Sequence, residues 1–101
     1  LAEILEVLES NRDFLLDFVR QEMPGIHITC PQGTYLAWLD CSEFDLSEPP
    51  HEFFLKNAKV GLNPGDAFGE VGREHVRLNF GCSRETLVIA LERMAGALRT
   101  R

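Results

Sequence analysis

The alternation His75-Val76-Arg77-Leu78-Asn79-Phe80 narrows the fold of this chain more than any other stretch. A period of two puts Val76, Leu78 and Phe80 on one face of a strand and His75, Arg77 and Asn79 on the other. A strand with one apolar face needs a layer of helix or sheet packed against it. The opposite face carries a guanidinium, a permanently charged fork of N–H donors suited to a carboxylate or a phosphate. Pattern alone leaves Arg77 two readings, a solvated strand arginine or an anion clamp.

The elements around that strand follow from periodicity and breakers. Leu1, Ile4, Leu5, Leu8, Leu15, Phe18 and Val19 form an apolar stripe at helical spacing, with acidic and basic residues opposite. Ser10-Asn11-Arg12-Asp13 weakens the middle of this helix without Gly or Pro, so the helix is expected to run on to Met23-Pro24-Gly25. Ile26 to Cys30 is a short β-prone piece, and Pro31-Gln32-Gly33 is a turn. Thr34 to Asp40 is apolar on both faces, which predicts a strand covered on both sides, with Tyr35, Ala37 and Leu39 on its outer face. Glu48-Pro49-Pro50 starts a short helix through Asn57, with Phe53, Phe54 and Leu55 as its apolar contacts. Lys59 to Leu62 is a short strand, Asn63-Pro64-Gly65 a turn, Ala67-Phe68 an edge piece and Gly69 to Glu74 a loop. Ser83 caps the last helix, whose core stripe is Leu87, Ala90, Leu91, Met94 and Leu98.

This order predicts an α+β fold, a small antiparallel or mixed sheet with helices packed on one face. The inward face of the arginine strand is expected against the first and last helices. At 101 residues with 45% hydrophobic content, one domain over 1–101 with a real core is expected. No apolar run approaches the roughly 20 residues of a membrane helix. The net charge of −6 argues against nucleic-acid and anionic-membrane partners. Cys30, Cys41 and Cys82 are odd in number and widely spaced, so they read as reduced, partly buried thiols of a cytoplasmic protein. Only His27 and Cys30 approach the paired spacing of zinc ligands, and no metal site is expected. The chain starts at Leu1 inside an amphipathic pattern, which reads as a fragment of a longer protein.

Three strings carry a family resemblance. Pro31-Gln32-Gly33-Thr34-Tyr35-Leu36-Ala37-Trp38-Leu39-Asp40 resembles a strand opening of fold-type I pyridoxal-phosphate enzymes. Lys59-Val60-Gly61-Leu62-Asn63-Pro64-Gly65-Asp66-Ala67-Phe68-Gly69 resembles a loop of those enzymes, and His75 to Gly81 resembles their substrate-arginine strand. In this order they are similar to the C-terminal small domain of class I/II aminotransferases, nearest the cystathionine β-lyase, or C–S lyase, subgroup. The resemblance implies that Arg77 binds the α-carboxylate of an amino-acid substrate. It implies an upstream large domain that holds pyridoxal phosphate, and a parent enzyme that is a homodimer. It assigns no catalytic and no cofactor-binding residue to this chain, because Lys56 and Lys59 lack the family's S-x-x-K context. The isolated fragment is then expected to be inactive.

The neighbours of Arg77 have simpler readings. Asn79 suits a strand-edge hydrogen bond, and Arg84 suits the surface of a first helical turn. Tyr35 and Trp38 suit core or interface packing. The glycine loop lacks the G-x-G-x-x-G and G-K-(S/T) strings of nucleotide sites. The competing function is a free-standing α+β module that binds or senses a small carboxylate through Arg77.

Overall fold

The computed structural model describes residues 2–30, 35–44, 46, 48–64 and 74–101. Among them, three helices and four strands follow in the order α1 (Ala2–Glu22), β1 (His27–Thr29), β2 (Leu36–Asp40), α2 (Pro50–Ala58), β3 (Asn63–Pro64), β4 (His75–Asn79) and α3 (Arg84–Thr100). The strands form one antiparallel sheet in the order β1-β2-β4-β3. The α+β architecture is the expected one, with a fully antiparallel sheet among the described strands.

The β2–β4 pair is the centre of the sheet. Ala37 faces Leu78, Trp38 faces Arg77 and Leu39 faces Val76. Directly opposed residues of an antiparallel pair share a face. Ala37, Leu39 and Val76 are fully buried, with Leu78 and Phe80 nearly so, and they join one core with residues of all three helices. Backbone bonds from Phe80 N–H to the Tyr35 carbonyl at 2.8 Å and from Cys41 N–H to the Glu74 carbonyl at 2.9 Å extend the ladder at both ends.

The helices begin and end where local chemistry dictates. Helix α1 stops at Glu22, and Gly25 turns the chain with a φ of 103°. Pro50 occupies the first turn of α2, where its missing N–H costs nothing. The Ser83 hydroxyl accepts from Thr86 N–H at 3.2 Å and caps α3. Leu87, Leu91, Met94 and Leu98 of its stripe are buried, and Ala90 is half-buried.

Several expectations are corrected. Ala37 and Leu39 lie on the inner face, not the outer one, because their register matches Leu78 and Val76. The outer residues of β2, Leu36, Trp38 and Asp40, are half-buried rather than covered. Leu55 is 57% exposed, because Phe53, Phe54 and Ala58 take the core side of α2 and Leu55 turns away from them. Lys59 to Leu62 is not a strand. Lys59 sits in the left-handed region at φ 58°, which ends α2 and defers pairing to Asn63–Pro64, where a turn was expected. Leu5 of the α1 stripe is 54% exposed, while Leu15 and Val19 are buried. Leu1, the turn at 31–33, Thr34, Gly65, the edge piece Ala67-Phe68 and the loop through Arg73 lie outside the described residues.

Candidate substrate-carboxylate site

The outer sheet face gathers the polar residues of β4 with those of its neighbours. His75 and Arg77 alternate outward while Val76 and Leu78 anchor the strand from below. Arg77 lies between Trp38 on one side and Asn63 on the other, its register partners on β2 and β3. A side chain placed in the middle of a sheet starts from a backbone that hydrogen bonds on both edges hold still.

Arg77 is half-buried, and its Nε is shielded from solvent without a hydrogen-bond partner. No carboxylate among the described residues pairs with it, although the chain has a net charge of −6. A buried donor left unpaired costs about 1–3 kcal/mol, more for a charged group. Such a donor on an open face is suited to an anionic ligand that accepts from the guanidinium fork.

His75 stands beside it. Its Nε2 lies 3.8 Å from an Asp40 carboxylate oxygen, and its ring meets Trp38 edge-on with centroids 6.5 Å apart. Its Nδ1 is also buried without a partner. Burial pushes the Asp40 carboxyl up. Hydrogen bonds from Ser42, together with His75 and His27, outweigh that push and hold it below the usual carboxylate value. Asp40 is therefore ionised at neutral pH, engaged by Ser42 and His75, and so does not compete for Arg77. At the end of the face, His27 pairs with Glu43.

Asn79 takes the strand-edge role expected of it, accepting from Gly81 N–H at 2.8 Å. Tyr35 is 50% exposed at the start of β2. Arg84 sits in the first turn of α3 but is not simply a surface residue. Its guanidinium lies 4.6 Å from the Phe14 ring centroid and bonds to Ser10 and Asn11 of α1, so it is committed to packing. Asn11 was missed as more than a weak spot in the helix. It is 1% exposed and joins α1 to the end of β4. The available signal was its phase, since position 11 falls on the buried stripe between Leu8 and Leu15. Cys41 is buried and Cys30 and Cys82 are half-buried free thiols, as their composition suggested. Among the described residues no group of three or more His, Cys, Asp or Glu side chains converges as a metal site would, and no helix is long and apolar enough to cross a membrane.

No family model matches the chain. Cystathionine beta-lyase of Corynebacterium glutamicum is 41% identical over 98 residues, covering 97% of this chain and 26% of the lyase. A pyridoxal-phosphate-bound C–S lyase from Staphylococcus hominis, complexed with the inhibitor L-cycloserine, superposes with a TM-score of 0.88 at 31% identity, over 99% of this chain and 27% of the other. Alanine aminotransferase from Pyrococcus furiosus superposes at 0.87 with 29% identity, over 99% and 26%. In sequence and in fold, the chain belongs with the cystathionine beta-lyases and C–S lyases and their aminotransferase neighbours, and it spans about a quarter of the length of the relatives it matches.

Proposed function

We propose that this chain is the small, substrate-carboxylate-binding domain of a pyridoxal-phosphate enzyme acting on amino acids, a C–S β-lyase or an aminotransferase. The observation that carries the reading is the solvent-shielded, unpartnered Arg77 Nε on an outer face that is only half-covered. The likeness to lyases and aminotransferases of which the chain spans a quarter supports the same reading.

Pyridoxal phosphate, when bound, supplies an electron sink for the carbanion at the substrate's Cα. This chain does not hold it. Lys56 is engaged by Glu48 at 2.8 Å, and Lys59 borders a groove against α3, so neither amine stands at Arg77. The cofactor belongs to the rest of the parent, a large domain that covers the outer face when substrate is present. The isolated chain is then inactive.

The work of Arg77 is orientation. A bidentate pair with the α-carboxylate removes rotation about one end of the substrate and so selects which Cα bond is aligned for cleavage. Trp38 beside it excludes water on one flank and strengthens the pair by lowering the local dielectric. Lysine at the same position would keep the charge and lose the fork.

The test is kinetic, in the full-length enzyme. Arg77→Ala should lower kcat/KM by about 2–4 kcal/mol of transition-state stabilisation, and Arg77→Lys should recover only part of it. Converting the substrate carboxylate to an amide should cost wild type a similar amount and cost Arg77→Ala little. An unchanged kcat/KM in Arg77→Ala, or equal discrimination by both proteins, removes Arg77 from the site.

A further inference from the structure

A groove against α3 combines features that the proposed function does not use. It has a volume of about 330 Å³ and lies between α3 and the segment that follows α2. Pockets for small organic ligands start at about this size. Val60, Leu78, Leu87 and Ala90 line it with apolar surface, and Lys59 and Arg93 are exposed cations among its lining residues.

Like Arg77, Arg84 and Arg101, these two cations pair with no carboxylate among the described residues. Arg12, Arg20, Lys56 and Arg99 each pair with a carboxylate. Lys59 and Arg93 have no ion-pair partner among the described residues, and no carboxylate is among the groove's described lining residues. In a chain of net charge −6, two unpaired cations at one apolar groove form a local field of the opposite sign. Lys59 is also the non-glycine residue with positive φ among those described, at 58°. That conformation is the C-cap of α2 and fixes the Lys59 backbone at the mouth of the groove, while its side chain is exposed.

We propose that this groove binds a small carboxylate with an apolar body, the acid group meeting Lys59 and Arg93 and the hydrocarbon lying along Leu78 and Leu87. The charge pattern excludes a cationic ligand, and the apolar lining gives inorganic anions nothing to bury. Leu78 points inward where Arg77 points outward, and Asn79, on the Arg77 side of the strand, also lines the groove. Cys82 lines the same groove, and burial raises its thiol pKa, so it is mostly protonated at pH 7 and reacts slowly with alkylating reagents.

The thiol provides the local readout. Full-length protein with Arg77→Ala, which removes the other carboxylate site, is titrated with hexanoate. Modification of Cys82 by N-ethylmaleimide is followed by peptide mass spectrometry. Hexanoate should slow that modification saturably and leave Cys30 unaffected, and hexan-1-ol should be far weaker. Adding Lys59→Gln and Arg93→Gln together should weaken hexanoate about tenfold, the combined effect expected of two exposed charges. Calorimetric titration of the same proteins reads the affinity without the thiol. Absence of saturation, equal potency of hexan-1-ol, equal slowing at Cys30, or an unchanged affinity in the double variant overturns the proposal. None of these outcomes bears on Arg77, whose role is read in kcat/KM.

Discussion

Asn11 and Arg84 form a buried-to-exposed polar pair that fastens α1 to the start of α3. The Arg84 Nε donates to the Asn11 amide oxygen at 3.0 Å. The other end of the same amide donates to the carbonyls of Phe80 at 3.2 Å and Cys82 at 2.7 Å. Each polar atom of the Asn11 side chain is thus satisfied, as its 1% exposure demands. The pair holds the chain just past the end of β4, at Phe80 and Cys82, so it links helix packing to the strand that carries the candidate site.

Asn11→Leu keeps the branched shape and removes all three bonds. It leaves the two carbonyls and the guanidinium without this partner. The expected loss is about 2–4 kcal/mol, since an orphaned buried group pays its full desolvation cost. Arg84→Ala should cost less, because its head is partly solvated and Ser10 shares it. In the double variant the costs should fall short of additivity, as they do for residues of one network. Urea unfolding of the four proteins measures this, and strictly additive costs would show that the two side chains act independently.

The contrast between Asn11 and Arg77 explains what could be read from sequence. Strict alternation at 75–80 identified the strand and its core face, because a one-residue slip would bury Arg77 and expose Val76. The Ser83 cap and the breakers after Glu22 were legible for the same reason, since their chemistry is local. Ala37 and Leu39 were assigned to the wrong face because Thr34 to Asp40 is apolar on both sides, and only pairing with β4 decides which side meets the helices. Lys59 hid the true β3, since nothing in its side chain announces a left-handed backbone. Asn11 was opaque because its partners lie 69 to 73 residues away. The face around Arg77 was legible as a face. The unpartnered state of its Nε was not, because that depends on where every carboxylate of the fold ends up.

Cys41 gives the fold a pH dependence of known sign. Burial, followed by the negative charges of Asp40 and Glu74, pushes its thiol from the ordinary 9.0 up to about 12. Below pH 9.0 both folded and unfolded chains hold the proton, and Cys41 adds no pH dependence. Between 9.0 and about 12 the unfolded chain releases the proton and the folded chain keeps it. Stability therefore falls as pH rises through that window, by at most about 1.4 kcal/mol per pH unit from this group. Cys41→Ser should flatten the wild-type slope over the same range while leaving the region below pH 9.0 parallel. Iodoacetamide should modify Cys41 last among the three cysteines. A Cys41 that alkylates at the rate of Cys30 or Cys82 at pH 9 would contradict its burial.

Gly25 and Phe44 define the last prediction. Gly25 closes the turn between α1 and β1 at φ 103°, a conformation that side chains rarely adopt. A methyl group there would stand 3.1 Å from Phe44 Cε2 and 3.2 Å from its Cζ, tighter than ordinary van der Waals contact. Phe44 cannot retreat freely, because the Arg101 guanidinium lies over its ring at 4.7 Å from the centroid. Gly25→Ala therefore meets two separate penalties, backbone strain and a displaced ring, with a combined cost of about 1–3 kcal/mol. Thermal or urea unfolding separates them when the substitution is repeated on a Phe44→Leu background. The smaller side chain removes the ring contact, so the remaining cost is the backbone's alone. An equal cost on both backgrounds would assign the whole effect to φ. A negligible cost on the leucine background would assign it to the ring, and the turn would then tolerate a β-carbon.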